Sequence, residues 1–528
     1  MDHHDQTDTP ASGNYVRRAL ELFGRYDTTE AITFGDLRFD YGQVRGRVLG
    51  TARALLDGGL RPGSAVLVLA RNPPEVVFLQ FALHLLGCRT VWMNPRAPHP
   101  HRTAFVRSAE VDAFVYDTRS FPEERAETLA TLAESGGVLR FSLGPDGVVD
   151  LLAAPSADTV PLTAEEVTGE PQSLLQTSGT TDDPKSVHHR HSFFRGILTF
   201  TEHYQATDGR PLRHLAQVGF WQVSGQVAAM MTLFAGGTLV MQEGWDLERF
   251  LTTIEQDRIT SALVSPQLLY QILDHPLTAT TDLSSLHMLS IGGSPAAPTR
   301  LRQAIERLGP VVRLTYGMSE CTFITVQPDL REDPEHPERL ASCGRPYGDV
   351  ELEIRDAEGQ LLPPGLDGEI WVRSSLMMAG YWRQPELTAY TLVDGWLRTG
   401  DIGHQDPDGY LYIVDRAKDM IITGYGAEKV YCRPVEDVLM SHPAVASAAV
   451  LGIPTADHDE AVYAFVVRHP GAEVTADDLR QLVLERLFEV YEPREVVFVD
   501  AFPLTGTAKV DKKALRADYL ARVGAVPA

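Results

Sequence analysis

A loop at residues 176–185 has the residue types of a phosphate-binding segment. It reads Gln-Thr-Ser-Gly-Thr-Thr-Asp-Asp-Pro-Lys and follows a short apolar run at residues 173–175. Hydroxyl and backbone N–H groups donate hydrogen bonds to phosphate oxygens, Gly179 permits close approach of the backbone, and Lys185 adds positive charge. The loop lacks the spacing of a Walker A motif, so it predicts nucleotide chemistry of a different kind.

Three segments farther along the chain carry side chains that suit the remainder of a nucleotide. In residues 314–320, Tyr316 is suited to stacking on a base, and Glu320 is suited to holding a magnesium ion that bridges phosphates. Asp401 follows a glycine at the end of a strand-like run and is suited to accepting hydrogen bonds from ribose hydroxyls. Arg416 stands between two apolar runs, where it is suited to a phosphate or a ribose. Taken alone, each segment is better explained as an ordinary turn than as part of a binding site.

Lysine is rare in this chain and is concentrated in the motifs. Lys509 lies in a polar loop at residues 503–511, which is able to carry it into a site built elsewhere. Arginine supplies most of the 47 basic residues, and the six lysines are Lys185, Lys418, Lys429, Lys509, Lys512 and Lys513. A flexible point charge suits a moving phosphate or carboxylate. The joint occurrence of these segments in this order favours nucleotide chemistry over a set of unrelated turns.

Composition and charge exclude several classes of partner. The 528 residues are 44% hydrophobic and carry a net charge of −24, which predicts a globular chain with two or more cores. Binders of nucleic acid or anionic membranes need a basic face, which this charge disfavours. No apolar run is long enough for a membrane span, and the first residues lack a signal-peptide pattern. Four scattered cysteines indicate the reducing cytoplasm and disfavour a zinc site.

Apolar runs alternate with helical patterns through most of the chain. Helical spacing covers residues 41–60 and 74–86. The strand-like runs are residues 64–70, 90–93, 111–116, 238–241, 262–264, 288–291 and 311–315. This alternation predicts an α/β fold with largely parallel sheets. From about residue 350, short strands and tight turns predict a β-rich subdomain, and a final α+β unit is expected from residue 416.

These segments together resemble the adenylate-forming superfamily, which includes acyl- and aryl-CoA synthetases, adenylation domains of nonribosomal synthetases and firefly luciferase. The segments 94–95, 292–295 and 380–381 also match the family's motifs. The resemblance implies an α/β fold with a large N-terminal domain, made of two doubly wound sheets and a β-rich subdomain, and a small mobile α+β lid. The expected division is a disordered tail at residues 1–13, an N-terminal domain at 14–415 and a lid at 416–528.

The resemblance also implies a reaction in two halves. An acid and ATP first give an acyl-adenylate and pyrophosphate, and the acyl group then passes to a nucleophile, often the thiol of CoA. Glu320 would bind Mg²⁺, and Lys509 would contact the carboxylate and the α-phosphate. The implied nucleotide-binding residues are Thr177, Ser178, Gly179, Thr180, Thr181, Lys185, Gly292, Gly293, Ser294, Tyr316, Gly317, Ser319, Asp401, Arg416 and Lys509. The implied catalytic residues are Thr180, Lys185, Glu320 and Lys509.

The resemblance also implies which residues form the acid pocket and the hinge between the domains. The hinge would lie at Asp415 and Lys418. The pocket-lining residues are expected to be Trp221, Gln222, Gly225, Gly293, Gly317, Met318 and Cys321. Their apolar and partly aromatic character favours a flat or apolar acid.

The chain departs from the family's pattern at several motif positions. Asp182 and Ser186 stand where the phosphate loop usually has glycine, and Ala508 replaces the glycine before the lysine. In the stretch that lines the pantetheine path of CoA ligases, the replacements are Ala427 for glycine, Lys429 for asparagine and Cys432 for proline. Gln222 stands where many acyl-CoA ligases have histidine.

Several functions follow from these observations. The first is an ATP-dependent ligase that activates an aryl or acyl acid and transfers it to a thiol, that of CoA. The second keeps adenylation but changes the acceptor or the acid: a carrier-protein thiol, an amine, or nitrite activated to diazotise an aromatic amine. Amino-acid activation is disfavoured, because no pocket aspartate that would hold the amino group can be placed. The third, motivated by Asp182, Asp183 and Ala508, is a catalytically silent scaffold that binds nucleotide.

Overall fold

The computed structural model describes residues 13–95, 97, 99–119, 121–134, 136–154, 162–163, 165–167, 169–177, 185–204, 211–327, 335–423, 428–455, 460–505 and 508–523. The helices are α1 (Tyr15–Tyr26), α2 (Tyr41–Asp57), α3 (Glu75–Leu85), α4 (His99–Ala109), α5 (Pro122–Glu134), α6 (His191–Tyr204), α7 (Val223–Phe234), α8 (Leu247–Gln256), α9 (Pro266–Asp274), α10 (Pro298–Leu308), α11 (Pro385–Thr391), α12 (Cys432–Met440), α13 (Ala476–Arg486) and α14 (Lys512–Val523).

The strands are β1 (Glu30–Phe34), β2 (Leu37–Asp40), β3 (Ala65–Leu69), β4 (Arg89–Trp92), β5 (Ala113–Asp117), β6 (Leu139–Leu143), β7 (Val149–Asp150), β8 (Gln172–Gln176), β9 (Ser186–His189), β10 (Arg213–Ala216), β11 (Thr238–Met241), β12 (Ser261–Val264), β13 (Met288–Ile291), β14 (Val312–Tyr316), β15 (Thr325–Gln327), β16 (Arg345–Pro346), β17 (Glu351–Arg355), β18 (Gly368–Arg373), β19 (Gly380–Tyr381), β20 (Leu392–Val393), β21 (Trp396–Gln405), β22 (Leu411–Arg416), β23 (Ile421–Thr423), β24 (Glu428–Val430), β25 (Val445–Pro454), β26 (Glu460–Arg468) and β27 (Glu495–Phe498).

Two large sheets form the first part of the chain. The first has the order β16-β15-β14-β13-β12-β10-β11-β1-β2, and its strands from β14 to β1 run parallel. The second has the order β19-β9-β8-β4-β3-β5-β6-β7, and its strands from β8 to β7 run parallel. Both sheets carry antiparallel strands at one or both edges. The apolar runs predicted as strands occupy the parallel part, as expected for strands covered on both faces.

The two sheets share one hydrophobic core. Side chains from α1, α2, α3, α6 and α7 pack there against residues of both sheets. Every side chain of α3 from Val76 to Leu85 is buried, because this helix is enclosed in the layer between the sheets. Helices α8, α9 and α10 cover the other face of the first sheet, and α4 and α5 cover the other face of the second. Alternate residues of each strand therefore face different cores.

The remaining elements form the β-rich subdomain and the C-terminal unit. Strands β17, β18, β20, β21 and β22 make an antiparallel sheet that continues to Arg416. Beyond it, α12 and α13 pack on one side of β25, β26 and β27, and α14 packs on the other. The predicted α/β fold with a large first part, a β-rich subdomain and a smaller C-terminal unit is confirmed. Among the helices of the described ranges, none has the length and apolar character that crossing a membrane requires.

The parallel sheets direct several loops to one place. The segments that follow β10, β12, β13 and β14 lie at the same edge of the first sheet, because the carboxyl ends of parallel strands coincide. These segments contain Trp221, Ser265, Gly293 and Glu320. In the second sheet, the loop between β8 and β9 leaves from a carboxyl end as well. The predicted tail, apart from Gly13, lies outside the described residues.

Candidate active site

The two ends of the predicted phosphate loop are held together at the base. The backbone N–H of Thr177 donates to the Lys185 carbonyl at 2.9 Å, and the Lys185 N–H donates to Thr177 Oγ1 at 3.1 Å. These bonds extend the antiparallel pairing of β8 and β9, in which Gln176 is opposite Ser186. The predicted phosphate ligands between the two ends, Ser178, Gly179, Thr180 and Thr181, lie outside the described residues, as do Asp182 and Asp183.

Glu320, the candidate metal ligand, has a buried carboxylate that accepts a hydrogen bond from a tyrosine hydroxyl. The hydroxyl of Tyr381 donates to Glu320 Oε1 at 2.7 Å, and the Glu320 carbonyl accepts from the Met378 N–H at 2.7 Å. Burial, followed by the negative charge of Glu320, raises the pKa of Tyr381, so its hydroxyl stays a donor. The ammonium of Lys185 lies 5.0 Å from the centre of the Tyr381 ring. Tyr381 thus contacts both Lys185 and Glu320.

This arrangement fits a magnesium ion carried by a polyphosphate. Mg²⁺ is commonly held in nucleotide sites by one or two carboxylates together with phosphate oxygens and water, and it prefers oxygen ligands. Glu320 offers one carboxylate, whose Oε1 accepts a hydrogen bond from Tyr381. Within the described ranges, no cluster of three or more His, Cys, Asp or Glu side chains suits a metal ion held by protein alone. Glu320 is therefore suited to sharing a cation with a phosphate ligand.

Tyr316, Asp401 and Arg416 form a connected group. The Tyr316 hydroxyl donates to Asp401 Oδ2 at 2.6 Å, and Arg416 Nε lies 3.1 Å from Asp401 Oδ1. Asp401 is buried, and its charge raises the pKa of Arg416 above the ordinary value. Burial and then Asp401 raise the pKa of the Tyr316 phenol. Each carboxylate oxygen has two lone pairs, so Asp401 is still able to accept from hydroxyl groups of a ligand.

The glycine-rich segment after β13 packs tightly at the edge of the first sheet. The Gly292 N–H donates to the Val264 carbonyl at 3.2 Å, and a Cβ at Gly292 would lie 2.6 Å from Thr315 Oγ1. Gly293 has a φ of +90° and is exposed. Ser294 is half-buried beside it. The first glycine is thus required by the close approach of β14, and the second by its backbone conformation.

The loop before β15 holds Ser319 in place and turns at Gly317. A Cβ at Gly317 would lie 2.9 Å from the Phe323 backbone nitrogen, so this turn also needs glycine. The Ser319 carbonyl accepts a hydrogen bond from His189 Nε2 at 2.9 Å. His189 is fully buried at the end of β9, so it connects the second sheet to the loop that carries Glu320. The sequence motifs assign His189 no role in the site.

Lys509 reaches this edge of the first sheet from the C-terminal unit. A Cβ built on Gly293 would lie 3.4 Å from Lys509 Cε, and Ser265 Oγ donates to the Ala508 carbonyl at 3.3 Å. The loop is closed by Thr505, whose N–H donates to the Lys509 carbonyl at 2.8 Å and whose Oγ1 accepts from the Lys509 N–H at 3.2 Å. Burial, and then the charge of Arg416, lower the pKa of Lys509 to about 8.

The predicted acid pocket is only partly assembled from the residues named for it. Trp221 and Gln222 are half-buried after β10, and the indole Nε1 of Trp221 is buried without a hydrogen-bond partner among the described residues. Gly225 packs against the Gly219 carbonyl, where a Cβ would come within 2.5 Å. Cys321 is fully buried in a hydrophobic core, and Met318 packs against the same cluster. Cys321 therefore lies in the core behind the site, without surface that a ligand could contact.

The predicted hinge residues differ in their surroundings. Asp415, at the end of β22, accepts hydrogen bonds from the backbone N–H groups of Arg416 and Cys432. It thereby supplies a cap for the first turn of α12, whose own N-cap residue, Tyr431, makes no side-chain cap. Burial raises the pKa of Asp415. Lys418 is exposed in the turn between β22 and β23.

Besides His189, the motifs leave Tyr381 and Ser265 without a role in the site. The segment 380–381 matches the family's pattern, but the match gives it no role. Ser265 has a local signal, since a serine followed by Pro266 after a strand is a typical helix start. Its contact with Ala508 has no such signal, because the two residues are far apart in the chain.

Comparison with known proteins identifies relatives along the whole chain. The sequence model of the family described as AMP-binding enzyme matches residues 22–382, and that of the AMP-binding enzyme C-terminal domain matches residues 434–509. The chain is 34% identical over 510 residues to a medium/long-chain-fatty-acid–CoA ligase of Mycobacterium tuberculosis, covering 94% of this chain and 88% of that protein. It is 32% identical to a feruloyl-CoA synthase of Amycolatopsis, covering 92% and 95%. The structure of the amide bond synthetase McbA from Marinactinospora thermotolerans superimposes with a TM-score of 0.84 at 35% identity, covering 96% of this chain and 99% of that one.

Proposed function

Because the chain belongs to the AMP-binding enzyme family, we propose that it activates an aryl or acyl carboxylic acid as its adenylate and transfers the acyl group to the thiol of CoA. The enzyme is an AMP-forming ligase that uses ATP with Mg²⁺. Formation of the adenylate joins a carboxylate oxygen to the α-phosphorus and breaks the bond to the leaving pyrophosphate. No group of the protein forms a covalent intermediate in this step.

The observation that carries the proposal is the position of Lys509 against Gly293. This position places a cation from the C-terminal unit at the sheet edge that also bears Glu320. Two anions, a carboxylate and a triphosphate, repel each other, and fixed positive charge in a water-poor site offsets that repulsion. Burial, and then the charge of Arg416, lower the pKa of Lys509 to about 8, and the negative charge of these substrates would favour its ammonium form.

The remaining residues take roles that their contacts support. Asp401 and Arg416 are proposed to hold the ribose, and Tyr316 to frame the adenine beside them. Glu320 is proposed to ligate the magnesium ion, which would neutralise charge on the phosphates. Lys185 is proposed to hold the β- and γ-phosphates together with the loop that it closes.

The acid is proposed to be flat or apolar, because the residues proposed to line its pocket include Trp221, which packs closely on Gly219 after β10. The lid is proposed to begin at residue 416, since separate hydrophobic cores lie before and after that point. A cytoplasmic enzyme is proposed as well, because free cysteines suit a reducing compartment.

A second acceptor is favoured by one comparison. The structure named an amide bond synthetase is similar over nearly the whole chain, so an amine acceptor is the alternative to CoA. The replacements Lys429 and Cys432 in the stretch expected to line the pantetheine path agree with an amine acceptor. Transfer to a carrier-protein thiol and activation of nitrite are tested in the same experiment.

The test is pyrophosphate release from ATP and Mg²⁺ with a panel of aryl acids, fatty acids, amino acids and nitrite. Each acid is supplied alone, with CoA, with a carrier protein or with an amine, and products are identified by mass spectrometry. Release with one carboxylate class and formation of its CoA thioester are expected. An amide formed in place of the thioester would establish the amine acceptor. If wild type and Lys509→Ala released pyrophosphate equally, the role given to Lys509 would be wrong.

A further inference from the structure

Tyr381 joins the two halves of the phosphate site. Its side chain is 6% exposed, its hydroxyl donates to Glu320 Oε1 at 2.7 Å, and its ring lies 5.0 Å from the Lys185 ammonium. Lys185 immediately precedes β9 of the second large sheet, whereas Glu320 follows the last parallel strand of the first. Tyr381 is therefore a direct contact between the candidate phosphate-loop lysine and the candidate metal ligand.

The backbone around Tyr381 is fixed on both sides. Strand β19 pairs with β9, which begins immediately after Lys185, and places Tyr381 opposite Val187. The Trp382 N–H donates to the Ser186 carbonyl at 2.8 Å, and the Tyr381 N–H donates to Thr388 Oγ1 at 2.9 Å. Three residues earlier, Met378 donates to the backbone carbonyl of Glu320. One short segment thus holds the start of β9 and both the backbone and the carboxylate of Glu320.

The chemistry of the two contacts is complementary. The hydrogen bond occupies one oxygen of Glu320 and fixes the plane of the carboxylate, which leaves the other oxygen for a cation. Mg²⁺ requires near-ideal octahedral geometry, so a ligand that is already oriented loses less freedom on binding. The face of the ring attracts the Lys185 ammonium without neutralising it, because a cation–π contact leaves the positive charge available to phosphate.

We propose that Tyr381 is a positioning residue for the metal-bound triphosphate: its hydroxyl orients Glu320 toward Mg²⁺, and its ring holds Lys185 toward the phosphates. The inference rests on the proposed function for the identity of the ligand, ATP with Mg²⁺. Because it concerns binding, it can be tested without turnover.

Two substitutions separate the two contacts. Tyr381→Phe removes the hydroxyl and keeps the ring, whereas Tyr381→Leu removes both. The control is Tyr41→Phe, which removes a buried hydroxyl that donates to the carbonyls of Leu233 and Gly237 in the shared core. The control also removes a buried tyrosine hydroxyl, and this hydroxyl bonds neither Glu320 nor Lys185.

The measurement is calorimetric binding of a non-hydrolysable ATP analogue across a range of Mg²⁺ concentrations. Tyr381→Phe is expected to need about tenfold more Mg²⁺ for half-maximal binding, since a hydrogen bond to a charged group is removed. Its analogue affinity at saturating Mg²⁺ should stay close to wild type. Tyr381→Leu should also weaken binding at saturating Mg²⁺, by roughly threefold, the size of a partly exposed cation–π contact. Tyr41→Phe should leave both quantities unchanged.

An unchanged Mg²⁺ requirement in Tyr381→Phe would overturn the inference, as would an equal change in Tyr41→Phe. If wild type bound the analogue with Mg²⁺ but released no pyrophosphate with any acid, the proposed function would be refuted. The comparison of variants would then still decide whether Tyr381 positions Glu320 and Lys185. If wild type failed to bind the analogue with Mg²⁺, both the proposed function and the role of Tyr381 would be rejected.

Discussion

The hydroxyl of Ser265 donates a hydrogen bond to the backbone carbonyl of Ala508, 3.3 Å away. Ser265 ends the connection from β12 to α9 and also caps that helix, accepting from the Leu268 N–H at 3.4 Å. The Ala508 side chain packs against the core that covers the first large sheet. The loop that carries Lys509 is thus seated on the N-terminal part of the chain by one hydrogen bond and one apolar contact.

Ser265→Ala should lower the rate of adenylate formation by about fivefold, the effect of losing one hydrogen bond of about 1 kcal/mol. Loss of the cap should also lower the free energy of unfolding by about 1 kcal/mol. The matched control is Asp246→Ala, which removes the side-chain cap that Asp246 provides to the Arg249 N–H at the start of α8, far from the Ala508 loop in sequence. Pyrophosphate release and chemical denaturation are the measurements.

The comparison of the two variants separates the loss of the Ser265–Ala508 hydrogen bond from the loss of a helix cap. Both are expected to lose similar stability, but only Ser265→Ala should slow pyrophosphate release. Acyl transfer from a preformed adenylate should remain close to wild type in both. Equal rates of pyrophosphate release in the two variants would contradict a role for the Ser265 contact in seating Lys509.

Ala508 occupies a backbone conformation that favours glycine. Its φ is +55°, in the left-handed region, where a residue with a Cβ is strained by about 1–2 kcal/mol. Ala508→Gly should therefore keep or increase the rate of adenylate formation. Ala508→Val should lower that rate by roughly tenfold or more, because a β-branched residue resists this conformation and would displace Lys509. Pyrophosphate release checks both, and a slower Ala508→Gly than Ala508→Val would refute the argument.

The parallel strands could be predicted because their signal is local. Residues 238–241 and 288–291 are short apolar runs, and the structure places β11 and β13 at these positions. Such runs are typical of strands covered on both faces, so composition alone locates them. Strand β1 and the edge strand β2, by contrast, were not predicted. The three central residues of β1 are buried but include Thr33, and the residues of β2 are exposed or half-buried and include two charged ones, so neither strand is a continuous apolar run.

The contacts of the site could not be predicted in the same way. The motifs correctly indicated a nucleotide-using ligase, yet Tyr381 meets Glu320, and Ser265 meets Ala508, only through the packing of elements distant in sequence. For Cys321 the sequence predicts a contact with the ligand that the structure does not provide. The sequence predicts that Cys321 lines the pocket, but its side chain is fully buried in a hydrophobic core. Sequence position defines the segment, whereas tertiary packing defines the direction of each side chain.

Asp401→Asn should raise the KM for ATP by about 10- to 100-fold, since hydrogen bonds to a charged acceptor contribute about 1.5–3 kcal/mol. The substitution also leaves the Arg416 guanidinium without its carboxylate partner. Glu369→Gln is the control, because it removes the charge of a carboxylate paired with Arg398 in the same antiparallel sheet. Glu369 is opposite Ile402, whose side chain points to the other face of the sheet from that of Asp401. Steady-state kinetics of pyrophosphate release are the measurement. A similar rise in KM for both variants would show that the effect arises from the sheet and that Asp401 does not bind ATP.

The pH dependence of adenylate formation should report the charge of Lys509. Its pKa is lowered to about 8, so the free enzyme loses this positive charge as pH rises through 8. The ammonium form is the one that attracts the carboxylate and the phosphates, and kcat/KM for ATP should therefore be constant below this pKa and fall above it. Bound ATP adds negative charge beside Lys509 and raises its pKa, so the corresponding fall in kcat should occur at higher pH.

The assay is pyrophosphate release without CoA, because a thiol acceptor would itself ionise in this range. Lys509→Arg keeps a permanent positive charge, so its lower activity should show no fall near pH 8. The charged groups that influence Lys509 are Arg416, which lowers its pKa, and Asp401 and Glu320, which raise it. A wild-type profile that stays flat well above pH 8, or a fall retained in Lys509→Arg, would assign the titration to a group other than Lys509.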